Sequence, residues 1–180
     1  MNDTMNKQQL AQRICDTALL RGDFTLRSGR KSKYYMDKYL FETQPDILVE
    51  VGKLFADHVN ADGNIDRVAG AELGGIPLVT ATSMATGKPS VLIRNQKKDY
   101  GTAKQLEGKL EKGERIIIVE DIATTGGQVL EAAKVIQEAG AIVVKIIAVI
   151  DRQEGARENI EKAGFKFDAL FTKADLGINE

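Results

Sequence analysis

The stretch "RIIIVEDIATTGGQVLEAA", Arg115 to Ala133, runs four unbroken branched residues, Ile116 to Val119, into two adjacent acids, two threonines and two glycines. A short run that is apolar on every side reads as a strand buried on both faces, and the apolar spacing that resumes after Gly127 is helical. Such a strand belongs in a parallel sheet covered by helices on both sides. The neighbouring stretches repeat the pattern: "IDRVAG", "PSVLIR" and "AIVVKIIAVID" read as strands, and "GIPLVTATSMATG" and "TGGQVLEAAKVIQEAG" as helices. Upstream, Leu10, Ile14 and Ala18 fall at helical spacing until Gly22, which predicts a first helix over 7–21. "GDFTLRSGRKSKYYMDK" then reads as loop with short extended pieces. A further helix opens near Thr43, with Pro45 in its first turn and Leu48, Val51, Leu54 and Phe55 turned inward. The fold class expected is α/β, a central parallel sheet flanked by helices, with 1–180 forming a single domain.

Composition narrows the function classes. At 180 residues the chain is long enough for one full core. A formal net charge of −1 gives no general affinity for nucleic acid or an anionic membrane, so no nucleic-acid partner is expected and any polyanion site must be local. Cys15 is the lone cysteine, which rules out an intrachain disulfide and suits a reducing compartment. With His58 as the lone histidine, a zinc site of the usual kind is not available. Both residues read as ordinary helix positions. The polar amino end and the lack of any long apolar run predict a soluble cytoplasmic protein with no membrane association.

Parallel α/β sheets place their working loops at the carboxyl ends of the strands. That rule selects Ala71–Gly75, Arg94–Gly108, Glu120–Gly127 and Asp151–Gly155. In the opening stretch, Glu120 and Asp121 emerge at the end of the strand and "ATTGG" turns the chain into a helix. Backbone N–H groups at such a turn point outward toward the positive end of the helix dipole, and glycine lets them close around an anion. Thr124 and Thr125 add hydroxyl donors, so the turn suits a phosphate monoester. The acids would repel that phosphate at contact, whereas the vicinal hydroxyls of an attached sugar would donate to them. A ribose 5-phosphate fits the spacing. Residue by residue, a strand end and an N-cap would look similar; as an ordered run they do not. No Gly-Lys-Ser/Thr and no GxGxxG is present.

"IIIVEDIATTGGQVL" closely resembles the phosphoribosyl pyrophosphate signature of the type I phosphoribosyltransferases. Three more stretches, "FTLRSGRKSKYY", "AGAELGGIPLVTA" and "DRQEGA", make nearly the whole chain similar to the orotate phosphoribosyltransferases of that superfamily. The resemblance implies the type I fold with a small N-terminal hood, to which 1–40 contributes, over the base site. It implies transfer of ribose 5-phosphate from phosphoribosyl pyrophosphate to N1 of orotate, giving orotidine 5′-monophosphate and pyrophosphate in pyrimidine synthesis, with Mg²⁺ as cofactor. The ion would lie near Glu120 and Asp121, held chiefly by substrate oxygens and water.

Residue roles follow from the same resemblance. Glu120, Asp121, Ala123, Thr124, Thr125, Gly126, Gly127 and Gln128 would hold phosphoribosyl pyrophosphate, with Glu72 and Gly74 at its diphosphate. Gly74 stands where related chains often carry lysine, so other cations must cover that charge. Arg94, Lys97, Lys98 and Tyr100 lie in the polar stretch 94–108, which resembles a mobile catalytic loop that reaches the neighbouring subunit's site and so implies a homodimer. Lys98 is its main expected cation, and Lys98, Glu120 and Asp121 are the expected catalytic residues. Asn95 and Tyr100 depart from the family pattern. Orotate would be gripped by Arg152, a guanidinium fork suited to a carboxylate, with Arg27, Tyr34, Tyr35 and Thr124 around the ring. Two rivals stand beside this reading: a phosphoribosyltransferase for another base, and a non-catalytic regulator that senses phosphoribosyl pyrophosphate and binds nucleic acid.

Overall fold

The structure is a computed structural model that describes residues 5–25, 29, 31–96 and 105–178. Along the chain run α1 (Lys7–Ala18), β1 (Leu19–Thr25), β2 (Lys31–Met36), α2 (Lys38–Glu42), α3 (Pro45–Ala61), β3 (Arg67–Ala71), α4 (Gly75–Thr86), β4 (Ser90–Ile93), β5 (Leu106–Glu107), β6 (Arg115–Ala123), α5 (Gly127–Glu138), β7 (Ile142–Asp151), α6 (Ala156–Lys162) and β8 (Lys166–Thr172).

Six strands form the main sheet in the order β5-β4-β3-β6-β7-β8. All pairs are parallel except the edge pair β4–β5. Ile116 and Ile118 turn into one apolar cluster with Val129, Ile136 and Ile160, while Ile117 and Val119 turn into another with Val51, Phe55, Leu78 and Phe171. Both faces of β6 are therefore buried, which is why its sequence shows no polar alternation.

Two expectations need correcting. The first helix stops at Ala18, not residue 21. Its buried stripe is Leu10, Ala11, Ile14 and Ala18, and the next positions of that stripe would be Arg21 and Gly22, so burial gives no reason to continue. Residues 19–25 and 31–36 are strand, not loop: β1 and β2 pair antiparallel, Leu19 opposite Met36 and Arg21 opposite Tyr34, as a separate two-stranded sheet. The antiparallel edge pair comes from the polar 94–108 stretch, two residues of which turn back to pair with β4.

The strand order reverses between β3 and β6, since β3 connects through α4 to β4 on one side while β6 lies on the other. Open α/β sheets bind ligands in the crevice at such a reversal. The turn 72–75 and the turn 124–126 flank it.

Candidate active site

The acid pair sits deeper than its sequence position suggests. β6 continues through both acids to Ala123, with Glu120 opposite Ala148 and Ala123 opposite Asp151. Glu120 and Asp121 are 7% and 4% exposed. Two buried charges side by side would repel strongly, and the structure shows two ways in which this is relieved. Burial, then the charge of Asp121, pushes the Glu120 carboxyl up to about 8, only partly offset by Lys38. Asp121 is paired instead: its Oδ2 accepts from Lys38 Nζ at 2.6 Å, and its Oδ1 accepts from the Ile122 N–H at 2.5 Å.

Lys38 and Glu42 were not among the residues singled out from sequence. Both lie on α2, whose start is fixed by the Asp37 side chain accepting from Tyr39 N. Burial works to lower the Lys38 pKa, but the charge and hydrogen bond of Asp121 outweigh it and hold the ammonium above the ordinary lysine value. Glu42 is 1% exposed with neither carboxyl oxygen partnered. Its burial, then the charge of Asp121, pushes it up to about 8. The signal in the sequence was slight: one charged residue on either side of "YLF", with no motif around it.

The turn after β3 closes onto this cluster. A Cβ at Gly74 would lie 1.9 Å from Asp121 Oδ2 and 2.9 Å from Glu42 Oε1, so only glycine fits while those carboxyls hold their places. The Glu72–Leu73 peptide in the same turn is cis. Glu72 Oε1 accepts from the Asn95 N–H at 2.7 Å, and Gln128 Nε2 donates to Glu72 O at 3.2 Å and to Asn95 Oδ1 at 3.3 Å. Three loops, after β3, after β4 and at the start of α5, are thereby tied together at the crevice. Arg94 lies at the root of the second, with Nη1 3.8 Å from Glu107 Oε1.

After Ala123 the chain bends through Thr124, Thr125 and Gly126 into α5, with Gly126 at φ 78°. Asn159 of α6 donates to the Thr125 carbonyl at 2.9 Å and steadies the turn from behind. Thr125, Gly127 and Gln128 are exposed, so the amino end of α5 faces solvent.

Arg152 follows β7, and its N–H donates to the Ala123 carbonyl at 3.0 Å, which couples it to the same turn. Its guanidinium donates to the Tyr34 hydroxyl at 3.2 Å and pairs with Glu154 at 2.9 Å. Asp151 supports the bend by accepting from Gln153 N. Tyr35 points elsewhere: it is exposed and its ring lies 5.7 Å from that of Phe24. Of the remaining expected site residues, Arg27, Lys97, Lys98 and Tyr100 lie outside the described residues. His58 faces Asp168 at 3.4 Å and Cys15 lies by the Leu176 carbonyl, both away from the crevice. Among the described residues there is no cluster of three or more His, Cys, Asp or Glu side chains that could hold a metal ion, and no helix is long and apolar enough to cross a membrane.

Comparison with known proteins agrees with this geometry. The profile described as "Phosphoribosyl transferase domain" matches residues 40–173. The orotate phosphoribosyltransferase of Pyrococcus abyssi is 45% identical over 172 residues, 94% of each chain. That of Natronomonas pharaonis is 43% identical over 173 residues, 96% of this chain and 98% of its own. The crystal structure of Mycobacterium tuberculosis H37Rv orotate phosphoribosyltransferase in complex with 5-phospho-alpha-D-ribosyl 1-diphosphate superposes with a TM-score of 0.81 at 32% identity, covering 95% of this chain and 98% of that one. On the domain match and on identities above 40% over nearly the whole length, the chain belongs to the orotate phosphoribosyltransferases of the phosphoribosyl transferase family.

Proposed function

We propose that this chain transfers ribose 5-phosphate from phosphoribosyl pyrophosphate to N1 of orotate, with the 124–128 turn on the 5-phosphate, Glu120 and Asp121 on the ribose hydroxyls, and Arg152 on the orotate carboxylate. The observation that carries the reading is the bond from Arg152 N to Ala123 O. It fixes the base-gripping arginine to the phosphate turn, so that one rigid unit can orient both reactants.

The chemistry is a displacement at the anomeric carbon with oxocarbenium character. Orotate N1 is acidic enough to be presented as an anion or nearly so, so little proton transfer is required and positioning and electrostatics carry the rate. Glu72 and Gly74 stand at the diphosphate end, with Arg94 and the loop lysines Lys97 and Lys98 neutralising the leaving group and Tyr100 beside them. Arg27, Tyr34 and Thr124 surround the base, with the β1–β2 hairpin as a hood. The two buried carboxyls are hard oxygen donors and suit a Mg²⁺ that keeps substrate and water oxygens as its main ligands. When bound, that ion supplies charge neutralisation for the diphosphate. The 1–180 domain works as a cytoplasmic homodimer, the 94–108 loop reaching the neighbouring site.

Mixing the protein with Mg²⁺, phosphoribosyl pyrophosphate and orotate while following the ultraviolet absorbance of orotate tests the reading. Loss of absorbance that requires all components is expected. No loss with orotate, together with turnover of another base, would assign a different acceptor.

A further inference from the structure

The N-terminal segment brings more to the crevice than a cover for the base. Lys38 and Glu42, four residues apart on one face of α2, both reach the floor of the crevice: Lys38 Nζ lies 2.6 Å from Asp121 Oδ2, and Glu42 Oε1 lies 2.9 Å from where a Cβ on Gly74 would stand. Three carboxyls, those of Glu42, Glu120 and Asp121, thus gather around one ammonium. Ion pairs this buried contribute little net stability, because removing both charges from water costs about as much as their attraction returns. A purely structural contact at this place would be met better by apolar side chains.

The exposure of the pair is also uneven. The Lys38 side chain is 28% exposed and that of Asp121 6%, so the lysine is the more accessible partner of the pair. The Asp121 carboxylate is held at both oxygens, by Lys38 on one and the Ile122 N–H on the other. Its orientation is therefore set jointly by its own strand and by α2. The placing of α2 in turn depends on the end of α1, through the bond from Asp37 N to Ala18 O, and on the Asp37 cap.

We propose that Lys38 is a positioning residue for pentosyl transfer: its ammonium holds the Asp121 carboxylate in the pose that receives the ribose hydroxyls of phosphoribosyl pyrophosphate. This rests on the function proposed above. Without the ammonium, Asp121 is free to turn from Gly74 and is left among carboxyls with no compensating charge. The effect falls on the sugar substrate and on turnover, and it leaves the base site around Arg152 and Tyr34 untouched.

The test compares wild type, Lys38→Met and Lys38→Arg as full-length proteins. Steady-state kinetics are measured with each substrate varied, along with the rise in Tm produced by phosphoribosyl pyrophosphate and Mg²⁺ without orotate. Lys38→Met is expected to lose roughly thirtyfold or more in kcat/KM for phosphoribosyl pyrophosphate, the size of one charge-assisted hydrogen bond. Its KM for orotate stays within about twofold, the effect expected when an unrelated site is left intact. Its ligand-induced rise in Tm shrinks, and Lys38→Arg recovers most of both losses. Turnover and ligand-induced rise equal to wild type in Lys38→Met would overturn the proposal, as would equal loss in both variants accompanied by a large fall in unliganded Tm. Wild type that is stabilised by phosphoribosyl pyrophosphate yet inactive on orotate would reject the base assignment alone, and the ligand-induced rise still decides Lys38. Wild type that neither turns over nor responds rejects both.

Discussion

The Arg152 guanidinium and the Tyr34 hydroxyl, 118 positions apart in the chain, meet at 3.2 Å, and the guanidinium carbon lies 5.6 Å from the Tyr34 ring centre. The aromatic face and the phenol together hold a partly buried cation at the edge of the crevice. Arg152 Nη2 donates to the Tyr34 hydroxyl and pairs with Glu154, which orients the fork for an incoming carboxylate. Arg152→Gln is expected to raise the KM for orotate by about a hundredfold, the worth of a lost bidentate carboxylate contact, while the KM for phosphoribosyl pyrophosphate stays near wild type. Initial rates with each substrate varied in turn measure this, and an unchanged orotate KM would remove Arg152 from the base site.

Asp121→Asn keeps the size of the side chain and removes its charge. It leaves Lys38 without its partner but also ends the repulsion with Glu120 and Glu42, so the two effects on stability oppose each other. Turnover should fall by at least about a hundredfold, as for loss of an oriented electrostatic group. The Tm should move by less than about 4 °C, equivalent to a change of about 1 kcal/mol or less. Calorimetry beside the absorbance assay separates the two, and full activity in the variant would exclude the sugar-binding role.

Glu42 and Glu120 are each pushed up to about 8 in the folded protein, against an ordinary glutamate value of 4.5. The folded state therefore binds protons that the unfolded chain has already released, so their contribution is fully present below about pH 4.5 and is lost as pH rises through about 8. Asp121, Lys38 and Asp37 are the charges that act on Glu42. Unfolding free energy should fall by a few kcal/mol between pH 5 and pH 8, an order-of-magnitude figure. Glu42→Gln, neutral throughout, should flatten part of that slope. Denaturant titrations at four or five pH values would show it, and parallel curves for the two proteins would mean that Glu42 is not the proton holder.

Gly126 and Gly127 are adjacent but constrained differently. Gly126 has φ 78°, and a Cβ there would stand 2.9 Å from Ile160 Cγ1; at Gly127 the nearest atom would be Thr125 Oγ1 at 3.8 Å. Gly126→Ala should cost about 1–3 kcal/mol through strain and overpacking. Gly127→Ala should change stability by less than about 0.5 kcal/mol. Its methyl group would crowd the phosphate turn, however, so its KM for phosphoribosyl pyrophosphate should rise several-fold. Equal melting temperatures for the two variants would contradict this division.

Short-range signals in the chain were enough to place β6, α5 and their neighbours, because burial on both faces removes the alternation of a strand and burial on one side imposes the spacing of a helix. The two glycine turns and Arg152 were legible for the same reason: each lies at the end of such an element, where a parallel sheet puts its loops, with the acid pair just before one such end, still inside β6. The β1–β2 pairing was not, since most residues of that hairpin are exposed and its register depends on partners across a turn. Nor was the arrival of Lys38 and Glu42 at Asp121, more than 75 positions away, because a contact between distant segments leaves no periodicity in either one. The charge state of the acids belonged wholly to the tertiary structure. Side by side in the chain they are two ordinary carboxylates, and only the surrounding protein, by excluding water and supplying a single ammonium, leaves one paired as an ion while burial raises the proton affinity of the other.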